Sequence, residues 1–217
     1  MVIQLLDECV GKLIHYPQIP VYVLVGGASQ RFGADKATTL VDGEPWALHV
    51  GRRLATEGGE IVLAGRTPDG AFDGLRRIDD LEGLSGPLAG ILAALRDRLD
   101  KYGVGLLAFA SCDLVRPERV WLEPLVAEFS GSGALDIAAY RAADRWQPFP
   151  SVAHTRWLPA LSEQAAAGTR SLQAALDGAN ATAIDWTLGN EGPPQANSVA
   201  ELQAKLTCEP GDVSPRS

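Results

Sequence analysis

Residues 104–110, Val-Gly-Leu-Leu-Ala-Phe-Ala, run without a polar side chain. A strand that reads this way is covered on both faces, because a half-solvated strand alternates apolar with polar. A second such run, Val21-Tyr-Val-Leu-Val25, ends directly on Gly26-Gly27 and predicts another buried strand. Strands buried on both faces need helices above and below them, and the intervening sequence supplies the patterns. Residues 45–57 read as a helix with Pro45 in its first turn, 60–64 as a strand, and 76–78 as a short strand. In 87–99, Leu88, Ile91, Leu92, Leu95 and Leu99 fall on one helical stripe. Residues 117–129 follow as a helix and 135–140 as a strand. This alternation predicts an α/β fold: three α/β/α layers around a mostly parallel central sheet.

Beyond residue 140 the pattern loosens to a strand at 149–153, helices at 156–167 and 171–176, a strand at 182–186 and a helix at 199–206. Residues 19–207 thus read as one domain. Residues 1–18 form a helical extension, with Ile3, Leu6, Val10, Leu13 and Ile14 at helical spacing, and 208–217 form a flexible tail poor in apolar residues.

The net charge of −8 over 217 residues argues against nucleic acid as a partner, since gripping phosphates along a duplex takes an excess of Lys and Arg. A small anion remains possible for a local cluster of donors. Cys9, Cys112 and Cys208, like His15, His49 and His154, are too scattered for a zinc site or a disulfide framework. No apolar stretch reaches membrane-span length and Asp7 and Glu8 interrupt the N-terminal residues, so the expected location is the cytoplasm.

The segment from Leu24 to Lys36, Leu-Val-Gly-Gly-Ala-Ser-Gln-Arg-Phe-Gly-Ala-Asp-Lys, follows the first strand directly. In open α/β sheets ligands bind beyond the carboxyl ends of strands, so this loop is placed for a site. Gly26 and Gly27 remove side chains where a ligand must approach the backbone, Gly33 permits conformations closed to other residues, and Ser29 offers a hydroxyl. Successive backbone N–H groups in such a loop form a concave anion site. Arg31 adds a planar fork for phosphate oxygens and Lys36 a mobile point charge. The register matches neither a P-loop nor a dinucleotide fingerprint. These residue types fit a polyphosphate site, with a tight strand-to-helix turn as the plain alternative for the glycines. A second candidate group is Asp113, just past the buried run 104–110: a carboxylate at such a strand end shares the crevice with the first loop and can ligate Mg²⁺, which often takes only one or two protein carboxylates. A turn or helix-capping aspartate is the plain alternative.

The loop resembles the signature Leu-x-Gly-Gly-x-Ser-x-Arg-x-Gly-x-Asp-Lys of the molybdenum cofactor guanylyltransferases, a MobA-like family within the Rossmann-like nucleotidyltransferases. The resemblance continues in order through Asp79, then Gly86-Pro87-Leu88-Ala89-Gly90, then Ala110-Ser-Cys-Asp113, and it spans about residues 19–205. It implies transfer of GMP from GTP to the phosphate of molybdopterin, with release of pyrophosphate and a requirement for Mg²⁺. By the same resemblance Leu24, Gly26, Gly27, Ser29 and Lys36 bind the nucleotide, Asp79 contacts guanine, and Gly86 and Pro87 line its pocket. Arg31, Lys36 and Asp113 are the catalytic set, with Asp113 the metal ligand. Asn197, the Arg141–Gln147 region and Arg170 face the pterin. Transient contact with the proteins that mature molybdoenzymes is a further implication.

Two departures stand out. The family's proline two residues after the metal-binding aspartate is Val115 here, and the one following Asn197-Ser198 is Val199. The first puts the path of the Asp113 loop in question. The competing readings are the same chemistry with CTP or a sugar phosphate, and a nucleotide-binding relative without turnover. Gly26-Gly27 favours guanine by resemblance, since cytidylyl relatives carry Ala before the second Gly.

Overall fold

The computed structural model describes residues 19–26, 36–56, 58–68, 70–131, 133–189 and 192–207. Gly27, Ser29 and Arg31, the N-terminal segment 1–18 and the tail 208–217 lie outside the described residues. In chain order, β1 is Val21–Leu24, β2 Leu40–Val41, β3 Glu44–Pro45, α1 Trp46–Leu54, β4 Ile61–Ala64 and β5 Arg76–Ile78. Then follow α2 Pro87–Tyr102, β6 Leu106–Ser111, α3 Leu122–Ala127, β7 Ile137–Ala142, β8 Arg145–His154, α4 Trp157–Ala166, α5 Leu172–Asp177, β9 Ala181–Asp185 and α6 Val199–Thr207.

Seven strands form one sheet in the order β5-β4-β1-β6-β8-β7-β9. The pairs β5–β4, β4–β1, β1–β6 and β7–β9 are parallel, whereas β8 runs antiparallel to both its neighbours. The mostly parallel expectation holds, with β8 as the exception. The side chains of β1 show how the layers form. Val23 faces α1, where Gly51 leaves room for it: a Cβ there would lie 3.4 Å from Val23 Cγ2. The next positions turn the other way. The Tyr22 hydroxyl donates to Asp97 of α2 at 2.5 Å, and Leu24 lies beside Gly90 of α2. One strand therefore buries alternate residues under helices on opposite faces, as a run without polar alternation requires.

From β1 the chain steps to β4 and β5 on one side, then α2 carries it back to place β6 on the other side of β1. This reversal opens a crevice at the carboxyl ends of β1 and β6, where α/β sheets bind ligands. The helices that wall it start where backbone chemistry allows. Gly86, at φ +77°, precedes α2, and Pro87 occupies its first position, where a missing N–H costs nothing. Pro124 and Pro159 each stand third in their helices, still within the first turn.

Candidate active site

The crevice is built on glycines at the strand ends. Gly26, just past β1, has φ +80°, and a Cβ there would come within 3.3 Å of the backbone N and O of Arg66. Gly65, just past β4, has φ +118°, and a Cβ there would overlap the Val25 carbonyl oxygen at 2.0 Å. The ends of β1 and β4 leave the sheet almost in backbone contact, with Val25 N–H donating to Ala64 O at 2.9 Å, while on the far side of β4 Gly65 N–H donates to Ile78 O of β5, also at 2.9 Å.

Lys36 re-enters the described structure in the short helical turn Lys36–Thr38. Its Nζ lies 3.4 Å from Asp113 Oδ2, 77 residues away in sequence, and 3.5 Å from Asn197 Oδ1, a further long-range partner. The Lys36 and Asp113 side chains are only 14% and 19% exposed, so water screens the pair weakly. Asp113 Oδ1 is buried and has no hydrogen-bond partner among the described residues.

The Asp113 loop is fixed without the family's proline. Ala196 N–H donates to Asp113 O at 3.0 Å and Val115 N–H to Pro194 O at 2.8 Å, so the segment 194–196 pairs with the loop like a short strand. The wholly buried Trp46 of α1 donates its Nε1 to Leu114 O at 2.9 Å. These bonds settle the loop path in question above, and the strand-like pairing carries Asn197 to Asp113. Asn197 is itself set by the start of α6: its N–H donates to Glu201 Oε2 at 2.6 Å, and Glu201 N–H donates to Ser198 Oγ at 3.1 Å. This is close to a capping box, and the spacing Ser198-x-x-Glu201 is the sequence signal that locates it. The structure thus joins Asn197 to the Lys36–Asp113 group, a contact that motif order alone did not indicate.

Just past β5, Asp79 and Asp80 are both exposed. Of the two, Asp80 sets its Oδ1 against α2: a Cβ on Gly90 would lie 3.2 Å from that oxygen and 3.4 Å from Leu24 Cδ2. Burial, and then the nearby Asp79 charge, push the Asp80 carboxyl above the usual carboxylate range. The sign follows from linkage: a carboxyl raised in the folded state favours folding when protonated, and that contribution is lost as pH rises through its folded value. Asp80→Asn should therefore give a slightly higher melting temperature than the parent at pH 7, the difference closing as the pH approaches 4. Equal differences at both pH values in thermal denaturation would count against a strained Asp80 set against α2.

The far side of the crevice is formed by the β7–β8 hairpin, whose turn residues Ala143 and Asp144 both have positive φ. Arg141 lies over the Trp146 ring, 5.7 Å from its centroid, and its Nη2 donates to Asp144 O at 3.3 Å. Trp146 is held in turn by Asp177 and by Gln173, whose amide brackets its backbone. The Gln147 side chain packs on Gly192. The segment 192–197 therefore bridges the hairpin and the Asp113 loop. Arg170 stands apart from this group, donating Nη1 to Ala165 O and Thr169 O at the end of α4.

The arrangement can hold a polyphosphate against Lys36 and a hard cation against Asp113. A hard divalent ion fits the donor set, because the orphaned Asp113 Oδ1 is an anionic oxygen without a proton donor, and one carboxylate with phosphate oxygens and waters suffices for it. Among the described residues no cluster of three or more His, Cys, Asp or Glu gathers for a metal, and no helix is long and apolar enough to cross a membrane.

The family model for the MobA-like NTP transferase domain matches residues 21–182. A molybdenum cofactor guanylyltransferase of Pseudomonas putida is 35% identical over 167 residues, covering 74% of this chain and 83% of the relative. The same enzyme from another strain of that species is 33% identical over 189 residues, 82% of this chain and 95% of the relative. The crystal structure of molybdopterin-guanine dinucleotide biosynthesis protein A from Archaeoglobus fulgidus superposes with a TM-score of 0.67 at 23% identity, covering 86% of this chain and 96% of that one. That likeness shows a shared α/β Rossmann-like fold.

Proposed function

The chain belongs to the MobA-like NTP transferase family, and from that premise we propose how its residues carry the reaction. It is a nucleotidyltransferase that joins the GMP part of GTP to the phosphate of molybdopterin and releases pyrophosphate. An acceptor phosphate oxygen forms the new bond to the α-phosphorus while the bond from that phosphorus to the bridging oxygen breaks. No side chain is needed as a nucleophile, so positioning and charge neutralisation carry the rate. The observation that supports this reading best is the meeting of Lys36, Asp113 and Asn197 at the reversal point of the sheet.

Arg31 and Lys36 offset the charge of the triphosphate and of the leaving pyrophosphate. The loop backbone from Leu24 through Gly26, Gly27 and Ser29 cradles the phosphates. Asp113 holds the divalent cation, which we take to be Mg²⁺. When bound, it draws charge from the phosphoryl oxygens and fixes their geometry. On the base side, Leu24, Gly86 and Pro87 line the pocket, and of the acidic pair Asp79–Asp80 it is Asp80 whose oxygen beside Gly90 can accept from the guanine edge. The acceptor lies between Asn197 and the hairpin Arg141–Gln147. The cytoplasm is the compartment that fits this reading.

A panel of nucleoside triphosphates scored by pyrophosphate release tests it. GTP should exceed CTP in kcat/KM by at least about 10²-fold, since a pocket built to hydrogen-bond one base leaves polar groups unpaired with another. A preference for CTP would move the chain to the cytidylyl reading. GTP binding without turnover, with the pterin acceptor present, would make it a non-catalytic relative.

A further inference from the structure

Lys36 stands in front of the carboxylate that the metal needs. Its Nζ is 3.4 Å from Asp113 Oδ2 in a pair that is mostly buried, and it also donates to Asn197 Oδ1 at 3.5 Å. Asn197 is not free to drift, because Glu201 and the strand-like pairing of 194–196 fix its backbone. The ammonium is thus clasped between Asp113 and Asn197. The local charge of Lys36 and Asp113 together is zero. A divalent cation approaching Asp113 then meets a neutral pair with its positive end nearby, and Mg²⁺ sheds water reluctantly for so weak an attraction.

A triphosphate reverses that balance. It brings several negative charges to the same crevice, giving the ammonium a stronger partner than the Asp113 carboxylate. Lys on its flexible four-carbon stem is the residue type able to make the move; the planar fork of Arg would be harder to re-seat. We propose that Lys36 is the resting counter-ion of Asp113, and that polyphosphate binding draws it onto the phosphates and thereby opens Asp113 to the divalent cation. Metal and nucleotide therefore bind synergistically, and the bare protein resists metal. By reciprocity the metal strengthens nucleotide binding by the same factor. This rests on the reading of Asp113 as the metal ligand and of the crevice as the triphosphate site.

The test uses Mn²⁺ as a spectroscopic stand-in, titrated by electron paramagnetic resonance into the full chain without nucleotide. The parent should bind it weakly. Lys36→Met, which keeps the stem and removes the charge, should bind Mn²⁺ about tenfold more tightly, and Lys36→Gln should move the same way. Adding a GTP analogue with a methylene between the α- and β-phosphorus should tighten Mn²⁺ strongly in the parent and less in either variant. Thermal denaturation confirms that each variant is folded, and the second Lys36 variant serves if the first is not. If Lys36→Met and Lys36→Gln bind bare Mn²⁺ no better than the parent while Asp113→Asn binds it worse, the exchange is overturned and the metal assignment stands. If Asp113→Asn leaves every Mn²⁺ affinity unchanged, the metal assignment itself fails and takes the exchange with it.

Discussion

Replacing Asp113 with Asn should cut pyrophosphate release by about 10³-fold while leaving the fold, and GTP binding measured without divalent metal, nearly intact. The fold is safe because the loop is held by its backbone and by Trp46, not by the carboxylate: Ala196 and Val115 pair across to 194–196, and Leu114 O accepts from the indole. The reaction is vulnerable because Asn keeps a hard oxygen but loses the charge that draws a divalent cation into a partly buried place. Losing one well-placed electrostatic contact to a developing charge typically costs about 10²–10³-fold. Loss of a charged metal ligand, which also orients the phosphates, belongs at or above the upper end. The measurement is steady-state pyrophosphate release with GTP and molybdopterin, beside GTP binding by calorimetry. Near-normal turnover in Asp113→Asn would remove Asp113 from the mechanism; loss of metal-free GTP binding together with lost turnover would make it a structural residue.

The layered fold was legible because continuous apolar runs have few solutions. Strands 21–25 and 104–110 had to be central, and they became β1 and β6, hydrogen-bonded neighbours. Where the sequence misled, a local signal competed with the pattern. The late strand was read at 149–153, yet β8 runs from Arg145 to His154 because its pairing with β7 jumps from Ala139↔Ser151 to Tyr140↔Gln147. That bulge takes in Pro148 and Pro150 where no ladder N–H is required. The helix read at 117–129 is α only over Leu122–Ala127, with single turns of tighter helix on either side, because Pro124 is tolerated only in a first turn. The β2–β3 hairpin around Asp42-Gly43 is too short for any periodicity to reveal.

The site was legible in part for a different reason. Motif order located Lys36 and Asp113, but order carries no distances, and their approach over 77 residues follows from the β1–β6 pairing. The resemblance singled out Asp79, but it says nothing of side-chain direction, and adjacent residues in extended chain point opposite ways. Only the space left by Gly90 and Gly65 shows that Asp80 is the one set against α2. The role of Gly65 had no motif to announce it.

That glycine carries the largest expected structural effect. Gly65→Ala should lower the melting temperature by about 10 °C, and it should weaken GTP binding at temperatures where the variant remains folded. Two costs combine. At φ +118° any Cβ is strained, typically by about 1–3 kcal/mol. The added carbon would also sit 2.0 Å from Val25 O and 3.1 Å from its carbonyl carbon, both backbone atoms that cannot swing aside as a side chain would. Relief requires the ends of β1 and β4 to part, so the total is on the order of 3 kcal/mol or more. At about 2–4 °C per kcal/mol for a domain of this size, that is the shift expected. Parting those strands also moves Gly26, which lies against Arg66 and starts the phosphate loop. Gly70→Ala is the matched control: it has φ +74° but nothing within 4 Å of the new carbon, so it bears only the backbone strain of about 1 kcal/mol and should leave GTP binding unchanged. If the two variants melt together and bind GTP alike, the close approach of β1 and β4 does not shape the crevice.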